Sequence, residues 1–250
     1  MPLSKAHRVM QIMWCMGEVS PDWGDLTVSD WVWLSPAERE SLMGMRFPKR
    51  RREWLSGRWT AKQLLLRCFP LLAGKSSSEI SIENQIHGNP VVFVGGQRLS
   101  GCLSLSHRQN QAAAAYIADE DVFVGIDVET IEERHPAFLQ DYFTEKEIEW
   151  VTAAPNCEQP LRTTLIWSAK EAALKSLQLG LAVDTHTVEV HPLEGDLLQG
   201  WQPLNFCSNL PVEGYQLHGW WQQRDNFMIT IVVNMPASQK PVVDLREINL

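Results

Sequence analysis

The sequence predicts an α+β protein made of two halves of similar size, and three observations carry that prediction. The chain has 250 residues, room for one large domain or two of about 125 residues. Each half holds several strands and one long helix, the composition of an α+β layer packing. Between them lies a short acidic joint, Asp119-Glu120-Asp121, directly before the apolar, β-branched run Val122–Val128. The boundary therefore falls at 120/121, with an N-terminal lobe over 1–120 and a C-terminal lobe over 121–250.

The elements follow in order. Val9–Met16 is a first strand. Lys5–Arg8 before it resembles the start of a signal peptide, but the apolar run contains Gln11 and leads into Glu18 and Asp22 without a small-residue cleavage site. Ser35-Pro36-Ala37-Glu38 opens a helix, with serine at the cap, proline at the first helical position and an acid in the first turn. A longer helix runs from about Arg50 to Cys68, with Trp54, Leu55, Trp59 and Leu65 as apolar positions, and stops at Pro70. Gly74–Ser78 is a loop, Ile80–Ile86 a strand, and His87-Gly88-Asn89-Pro90 a turn. Leu103–Ser106 and Ala112–Ile117 are strands flanking a polar hairpin. The second half repeats this general order: a strand over Val122–Val128, a helix from Phe143 to Val151, a loop through Pro155 and Pro160, and a helix from Arg162 to Leu179. Strands at Thr187–His191, Tyr215–Gln222 and Met228–Val233 complete it. No fixed-period repeat is visible, which excludes solenoids and propellers.

The composition, 44% hydrophobic and 21% charged, is that of an ordinary globular protein. Its 22 Lys and Arg against 30 Asp and Glu leave a net charge of −8, which argues against a general binder of nucleic acid or of an anionic membrane. The charge is uneven. From Arg46 to Lys62 there are seven basic residues and one acid, a local +6, so the rest of the chain carries −14. That contrast implies a local anionic ligand, and the acidic remainder favours a compact phosphate compound. The five cysteines are scattered, without a C-x-x-C pair, which points to reduced thiols and a cytoplasmic address. No apolar stretch approaches the roughly 20 residues that span a bilayer, so a soluble protein is expected.

Four segments carry residues suited to chemistry. In Gly125-Ile126-Asp127-Val128-Glu129, residues two apart on a strand share a face about 6.6 Å apart, so Asp127 and Glu129 project together while Ile126 and Val128 face the core. Two convergent carboxylates suit a hard cation such as Mg²⁺; a strand running into a solvated acidic turn gives the same pattern. In Trp167-Ser168-Ala169-Lys170-Glu171-Ala172-Ala173-Leu174-Lys175, the Glu171 and Lys175 side chains are neighbours at i,i+4, with Trp167 one turn earlier. A surface ion pair accounts for them singly. Together, a helix offering a carboxylate beside an ammonium and a strand offering two carboxylates fit a metal–phosphate site. Ser106 and His107 are adjacent on a strand and face opposite ways, so they are no nucleophile–base couple; His107 is either a donor to an anion or a satisfied polar residue. Lys49-Arg50-Arg51-Arg52-Glu53-Trp54-Leu55-Ser56-Gly57-Arg58 places Arg50, Trp54 and Arg58 on one helical stripe, with Gly57 allowing close approach. As a basic run it is equally a solvated face.

In this order the motifs K-R-x-x-E-[aromatic]-x-x-G-R, S-H, G-I-D-V-E and W-S-x-K-E-x-x-x-K resemble the 4′-phosphopantetheinyl transferases of the surfactin-synthetase-activator and enterobactin type, over roughly Ser35 to Leu181. The resemblance implies two pseudo-twofold-related α+β lobes, each a small, largely antiparallel sheet packed on a long helix, in a monomer with coenzyme A in the cleft as co-substrate. It implies a Mg²⁺ (or Mn²⁺) site at Asp127, Glu129 and Glu171, and phosphate contact by Lys175. It further implies nucleotide binding by Lys49, Arg50, Arg58, Ser106, His107 and Lys170. The activity implied is transfer of the phosphopantetheine group to a serine of an apo acyl or peptidyl carrier protein, releasing 3′,5′-ADP, with Glu171 as proton acceptor. Phe138, Leu139 and Phe143 are candidate carrier contacts.

The sequence departs from the resemblance in two places. Gly88-Asn89-Pro90 stands where many members have Gly-Lys-Pro, with Arg51 and Arg52 as candidate replacements for the missing cation. After Lys175, Ser176–Leu179 is not glycine-rich, although Gly180-Leu181 is kept. Two other readings of the same residues stay open at this point: a Mg²⁺-dependent nucleotide phosphohydrolase, and a non-catalytic module that binds coenzyme A or carrier proteins.

Overall fold

A computed structural model describes residues 9–18, 23, 31–85, 88–178, 183–193, 200–208, 214–239 and 242–250. The first lobe runs β1 (Val9–Glu18), α1 (Pro36–Met43), α2 (Pro48–Cys68), β2 (Ile80–Asn84), β3 (Pro90–Val94), β4 (Gln97–Arg98), β5 (Cys102–Arg108) and β6 (Gln111–Ile117). The second runs β7 (Phe123–Thr130), α3 (Pro136–Tyr142), α4 (Glu145–Thr152), α5 (Gln159–Ser176), β8 (Val188–Pro192), β9 (Gln202–Ser208), β10 (Tyr215–Arg224) and β11 (Phe227–Pro236), followed by β12 (Val242–Glu247). The α+β architecture is the expected one. β3, β4, α3, β9 and β12 are additional to the expected elements, and the expected Gly180-Leu181 lies outside the described residues.

Three sheets form, ordered β12-β1-β6-β5, β7-β11-β10-β9-β8 and β2-β3-β4. Among the described residues only the β1–β12 pairing is parallel, with Val9 opposite Val242 and Trp14 opposite Glu247. The last strand therefore returns to the first sheet, and a cut at 120/121 separates β12 from the strand it pairs with. The period-2 alternation of the strands sorts the core into layers. Met10, Ile12, Trp14, Ala113 and Ala115 of the first sheet pack against Val124, Ile126, Val128, Ile229 and Ile231 of the second. The opposite face of the first sheet, through Met13, Cys15 and Ala114, is covered by Ala61, Leu64 and Leu65 of α2. The outer face of the second sheet is covered by Ala169, Ala172 and Ala173 of α5. Two sheets thus lie face to face between two long helices.

The expected helix starts are set by caps. Ser35 and Glu38 form a capping box at α1, and Thr144 and Glu147 form another at α4. At the junction of the lobes, β7 is an edge strand whose free amides face β5. Ser104 Oγ accepts from Ile126 N at 3.0 Å and Ser106 Oγ from Val128 N at 3.2 Å; Cys102 Sγ lies 3.4 Å from Val124 N. Side chains at every second residue of β5 thereby satisfy an edge that would otherwise be unpaired, and they fix the position of one lobe on the other.

Candidate active site

Gly125 determines how closely α5 approaches β7: a Cβ there would lie 1.9 Å from the carbonyl oxygen of Ala172. With that contact made, the stripe Trp167, Glu171 and Lys175 is laid along the face that β7 gives to Asp127 and Glu129. Lys175 Nζ sits 2.8 Å from Asp127 Oδ1 and donates to the carbonyl of Ile126 at 3.0 Å. Ser106 Oγ donates to the same Asp127 Oδ1 at 2.8 Å. The remaining Asp127 oxygen, Oδ2, and Glu171 Oε1 are both buried and have no hydrogen-bond partner among the described residues. Burial first, then the neighbouring Asp127, pushes the Glu171 carboxyl up from 4.5 to about 7, against the opposing pull of Lys175.

Glu129 is held differently. Its Oε1 accepts from the Trp167 indole at 3.1 Å, while Oε2 lies 3.2 Å from Arg108 Nε and 3.0 Å from Arg134 Nη2. Burial and Asp127 raise its carboxyl above the ordinary range, while the two guanidinium groups and the indole act in the opposite direction. Because Glu129 turns toward the arginines, the three acids do not close into one ligand set. Among the described residues the one group of three whose ligand atoms all lie within 4.8 Å of one another is Glu189, His191 and Cys207.

Beside this acid–lysine cluster lies a cavity of about 840 Å³ between the lobes, of the size that takes a small-molecule ligand. Glu171 and Lys175 stand on one side of it; Arg50, Glu53, Trp54, Gly57 and Arg58 line the other. Arg58 is buried, its guanidinium 3.8 Å over the Trp54 ring and donating to Asn84 Oδ1 at 3.1 Å. Burial pushes it down to about 10, and among the described residues it forms no ion pair. A buried guanidinium without an acid partner is an anion site in waiting. His107 also lines the cavity, its Nε2 3.3 Å from Glu53 Oε2. Asn84, Arg98, Asn89 and Gln178 complete polar parts of the wall. Asn89 Nδ2 donates to the Gln178 carbonyl at 3.4 Å and so spans the two lobes.

Residues 123–209 match the family described as the 4′-phosphopantetheinyl transferase superfamily. The match spans about a third of the chain and includes β7 and α5. The chain is also 28% identical over 116 residues to the fatty acid synthase subunit alpha of Saccharomyces cerevisiae, a match covering 38% of this chain and 6% of that protein, so the chain spans a small fraction of that relative. Two solved structures are similar over 46% of the chain. One is the holo-[acyl-carrier-protein] synthase of Thermotoga maritima, 22% identical, with 63% of that chain covered and a TM-score of 0.38. The other is a holo-(acyl-carrier-protein) synthase of Bacillus anthracis in complex with CoA (3′,5′-ADP), 18% identical, with 96% covered and a TM-score of 0.39.

Within the matched segment lie Asp127, Glu129, Lys170, Glu171 and Lys175; Lys49, Arg50, Arg58, Ser106 and His107 precede it. The fold brings Asp127, Glu171, Lys175, Arg50, Arg58 and His107 to or beside the cavity. It places six of the expected contact residues elsewhere. Lys170 is fully buried on the far side of α5, paired with Glu147 at 2.8 Å and donating to the Thr185 and Val188 carbonyls. This follows from helix geometry, since residues 170 and 171 point about 100° apart. Lys49 is on the outer surface, 3.9 Å from Glu53. Ser106 is buried as the rivet between β5 and β7 rather than lining the cavity, and Arg51 and Arg52 are not part of its wall. Phe143 is buried in the core of the second lobe, with Phe138 and Leu139 half-buried against it, so Phe143 offers no surface to a partner. No local pattern marks Arg108 and Arg134 as clamps on Glu129, because only the fold brings them together.

Two buried carboxylate oxygens without a hydrogen-bond partner among the described residues, on acids near enough that Asp127 raises the Glu171 carboxyl, fit a hard divalent cation. Asp127 and Glu171 are the residues that would hold it, with Glu129 tethered next to them.

Proposed function

We propose that this protein transfers the 4′-phosphopantetheine group of coenzyme A to a serine of an apo acyl or peptidyl carrier protein, releasing 3′,5′-ADP in a Mg²⁺-dependent reaction. The observation that carries this reading is the cavity between the lobes, with a buried guanidinium that forms no ion pair among the described residues on one wall and an acid–lysine cluster beside the other. The similarity of the segment bearing the acids to the superfamily model supports it. Two lobes in one chain support the surfactin-synthetase-activator type and a monomer, and free thiols at all five cysteines accord with a cytoplasmic protein.

Arg58 and Arg50 supply the positive wall for the nucleotide phosphates, with Trp54 backing the Arg58 guanidinium. Lys175, anchored on Asp127 Oδ1, stands where charge develops as the pyrophosphate breaks. Mg²⁺, when bound, supplies further charge neutralisation on the phosphate oxygens. The serine oxygen forms a bond to the β-phosphorus and the bond to the ADP oxygen breaks, its electron pair leaving with 3′,5′-ADP. The serine proton passes to Glu171, whose Oε1 is buried without a hydrogen-bond partner among the described residues. The Asp127–Lys175–Ser106 contacts hold this wall in register.

The test is incubation with coenzyme A, Mg²⁺ and a panel of apo acyl and peptidyl carriers, followed by mass spectrometry. The expected result is one phosphopantetheine increment on the carrier serine and stoichiometric 3′,5′-ADP. Release of nucleotide or phosphate without a carrier would instead identify a phosphohydrolase, and coenzyme A binding with no product of either kind a binding module.

A further inference from the structure

We propose that Glu189, His191 and Cys207 form a separate metal site, on the far edge of the second sheet, for a thiolate-binding divalent ion of the Zn²⁺ class. The sheet places the three ligands by two simple rules. Glu189 and His191 are two apart on β8 and so share a face. Cys207 on β9 stands directly opposite Glu189 in the antiparallel register, where cross-strand side chains are nearest neighbours. Burial confirms which face this is: Val188 and Val190 on β8 and Leu204 and Phe206 on β9 are buried against α5, while Cys207, next after Phe206, is exposed and Glu189 and His191 are half-buried.

The result is a carboxylate oxygen, an imidazole nitrogen and a thiol sulfur whose ligand atoms all lie within 4.8 Å of one another. Zn²⁺ takes such ligands at about 2.0–2.3 Å, so rotation of the side chains brings all three onto one ion. Three protein ligands leave a fourth position, which the exposed thiol side opens to water or to an external group. The donor set also differs in kind from the all-oxygen pair at the cavity: sulfur and nitrogen select against Mg²⁺. None of the three residues lines the cavity, and β8 and β7 are opposite edges of their sheet.

A competitor already occupies part of the site. Lys146 Nζ lies 3.0 Å from Glu189 Oε1, and His191 Nε2 lies 2.9 Å from the same oxygen. A divalent ion would displace the exposed ammonium and draw the carboxylate to itself, so Lys146→Gln should tighten binding.

Co²⁺ added to the metal-free protein is the direct probe. The expected result is one Co²⁺ per chain with a thiolate-to-cobalt charge-transfer band that Zn²⁺ abolishes and excess Mg²⁺ leaves intact. Cys207→Ser should remove the band, His191→Gln should weaken binding at least tenfold, and Lys146→Gln should strengthen it severalfold. On the unmodified chain, Zn²⁺ should protect Cys207 from alkylation while Cys157, also exposed and outside the cluster, stays reactive. Equal alkylation of the two with and without Zn²⁺, a Co²⁺ spectrum without the charge-transfer band, or weaker binding by Lys146→Gln would overturn the assignment.

Discussion

Trp59-Thr60-Ala61-Lys62-Gln63 on α2 and Trp167-Ser168-Ala169-Lys170-Glu171 on α5 are the same helical segment in two lobes, each followed four residues after its last member by a cation, Arg67 and Lys175. Their lysines do the same job. Lys62 is fully buried against Glu38 and donates to the Trp33 and Ser77 carbonyls; Lys170 is fully buried against Glu147 and donates to the Thr185 and Val188 carbonyls. Each glutamate is also the third residue of a capping box, and each accepts an amide from the strand after the long helix, Ile82 N at 3.1 Å and Val190 N at 2.8 Å. What differs is the neighbouring stripe. To α2, β1 presents Met13 and Cys15; to α5, β7 presents Gly125, Asp127 and Glu129. The duplicated part is a buried ionic joint that ties a short helix, a long helix and a strand together. The chemistry belongs to one copy, where the strand supplies acids and the helix supplies Glu171 in place of Gln63.

The sharpest way to break this comparison is to make α5 resemble α2. Glu171→Gln is expected to lower transfer at least a thousandfold, about 4 kcal/mol of transition-state stabilisation, while coenzyme A binding persists through Arg58 and Arg50. Near-normal turnover in a carrier-labelling assay would remove Glu171 from the mechanism. The next largest effect tests the shared joint. Lys62→Met and Lys170→Met each leave a buried carboxylate without its cation, at a cost of about 3–5 kcal/mol, and burial already pushes both ammonium groups below the ordinary lysine value against the pull of Glu38 and Glu147. Urea unfolding should show similar losses for the two variants, and the folded fraction of Lys170→Met should keep its KM for coenzyme A. A raised KM would restore Lys170 to the nucleotide site; a loss in one lobe alone would dissolve the equivalence.

Much of this arrangement was legible in the chain. Period-2 spacing put Asp127 and Glu129 on one face and Ile126 in the core, and i,i+4 spacing put Trp167, Glu171 and Lys175 on one stripe; both rest on local geometry that tertiary contacts did not override. The Ser35 cap placed α1 for the same reason. The failures are non-local or angular. β12 joins β1 across most of the chain, β3 begins at Pro90 where a turn was expected, and its proline is tolerated as the first residue of the strand. Lys170 was assigned by motif adjacency to Glu171, although neighbours in a helix do not share a face. The repeat of W-[ST]-A-K-[EQ] went unseen because its copies, at 59 and 167, are a whole lobe apart, far beyond the period of stacked repeats.

A smaller effect separates the two helices by their titration. Glu171 is raised from 4.5 to about 7, so between those values the folded chain holds more protons than the unfolded one and stability falls as pH rises through that window. Divalent cation binding needs the deprotonated acid. Affinity for Mg²⁺ should therefore rise toward and above pH 7, with proton release measurable in weak buffer below that pH and fading above it. Glu171→Gln should abolish both the stability slope and the release. Proton uptake on adding Mg²⁺, or release unchanged in the variant, would contradict the assignment.

The smallest expected effect comes from the converse exchange, Gln63→Glu, which makes α2 resemble α5. Gln63 Oε1 already accepts from Arg67 Nη1 at 2.9 Å on the exposed side of the helix. A glutamate there becomes the N-terminal member of an i,i+4 ion pair, worth about 0.3–0.5 kcal/mol and screened by salt. No second cation site should arise, because Met13 and Cys15 on β1 offer a thioether and a thiol that burial pushes up to about 12, so no oxygen ligand faces the new acid. Calorimetry should find the same Mg²⁺ stoichiometry as the parent chain and a slight, salt-sensitive gain in stability. An added Mg²⁺ site in Gln63→Glu would show that the helix alone carries metal binding, and that the acids of β7 are not what divides the two lobes.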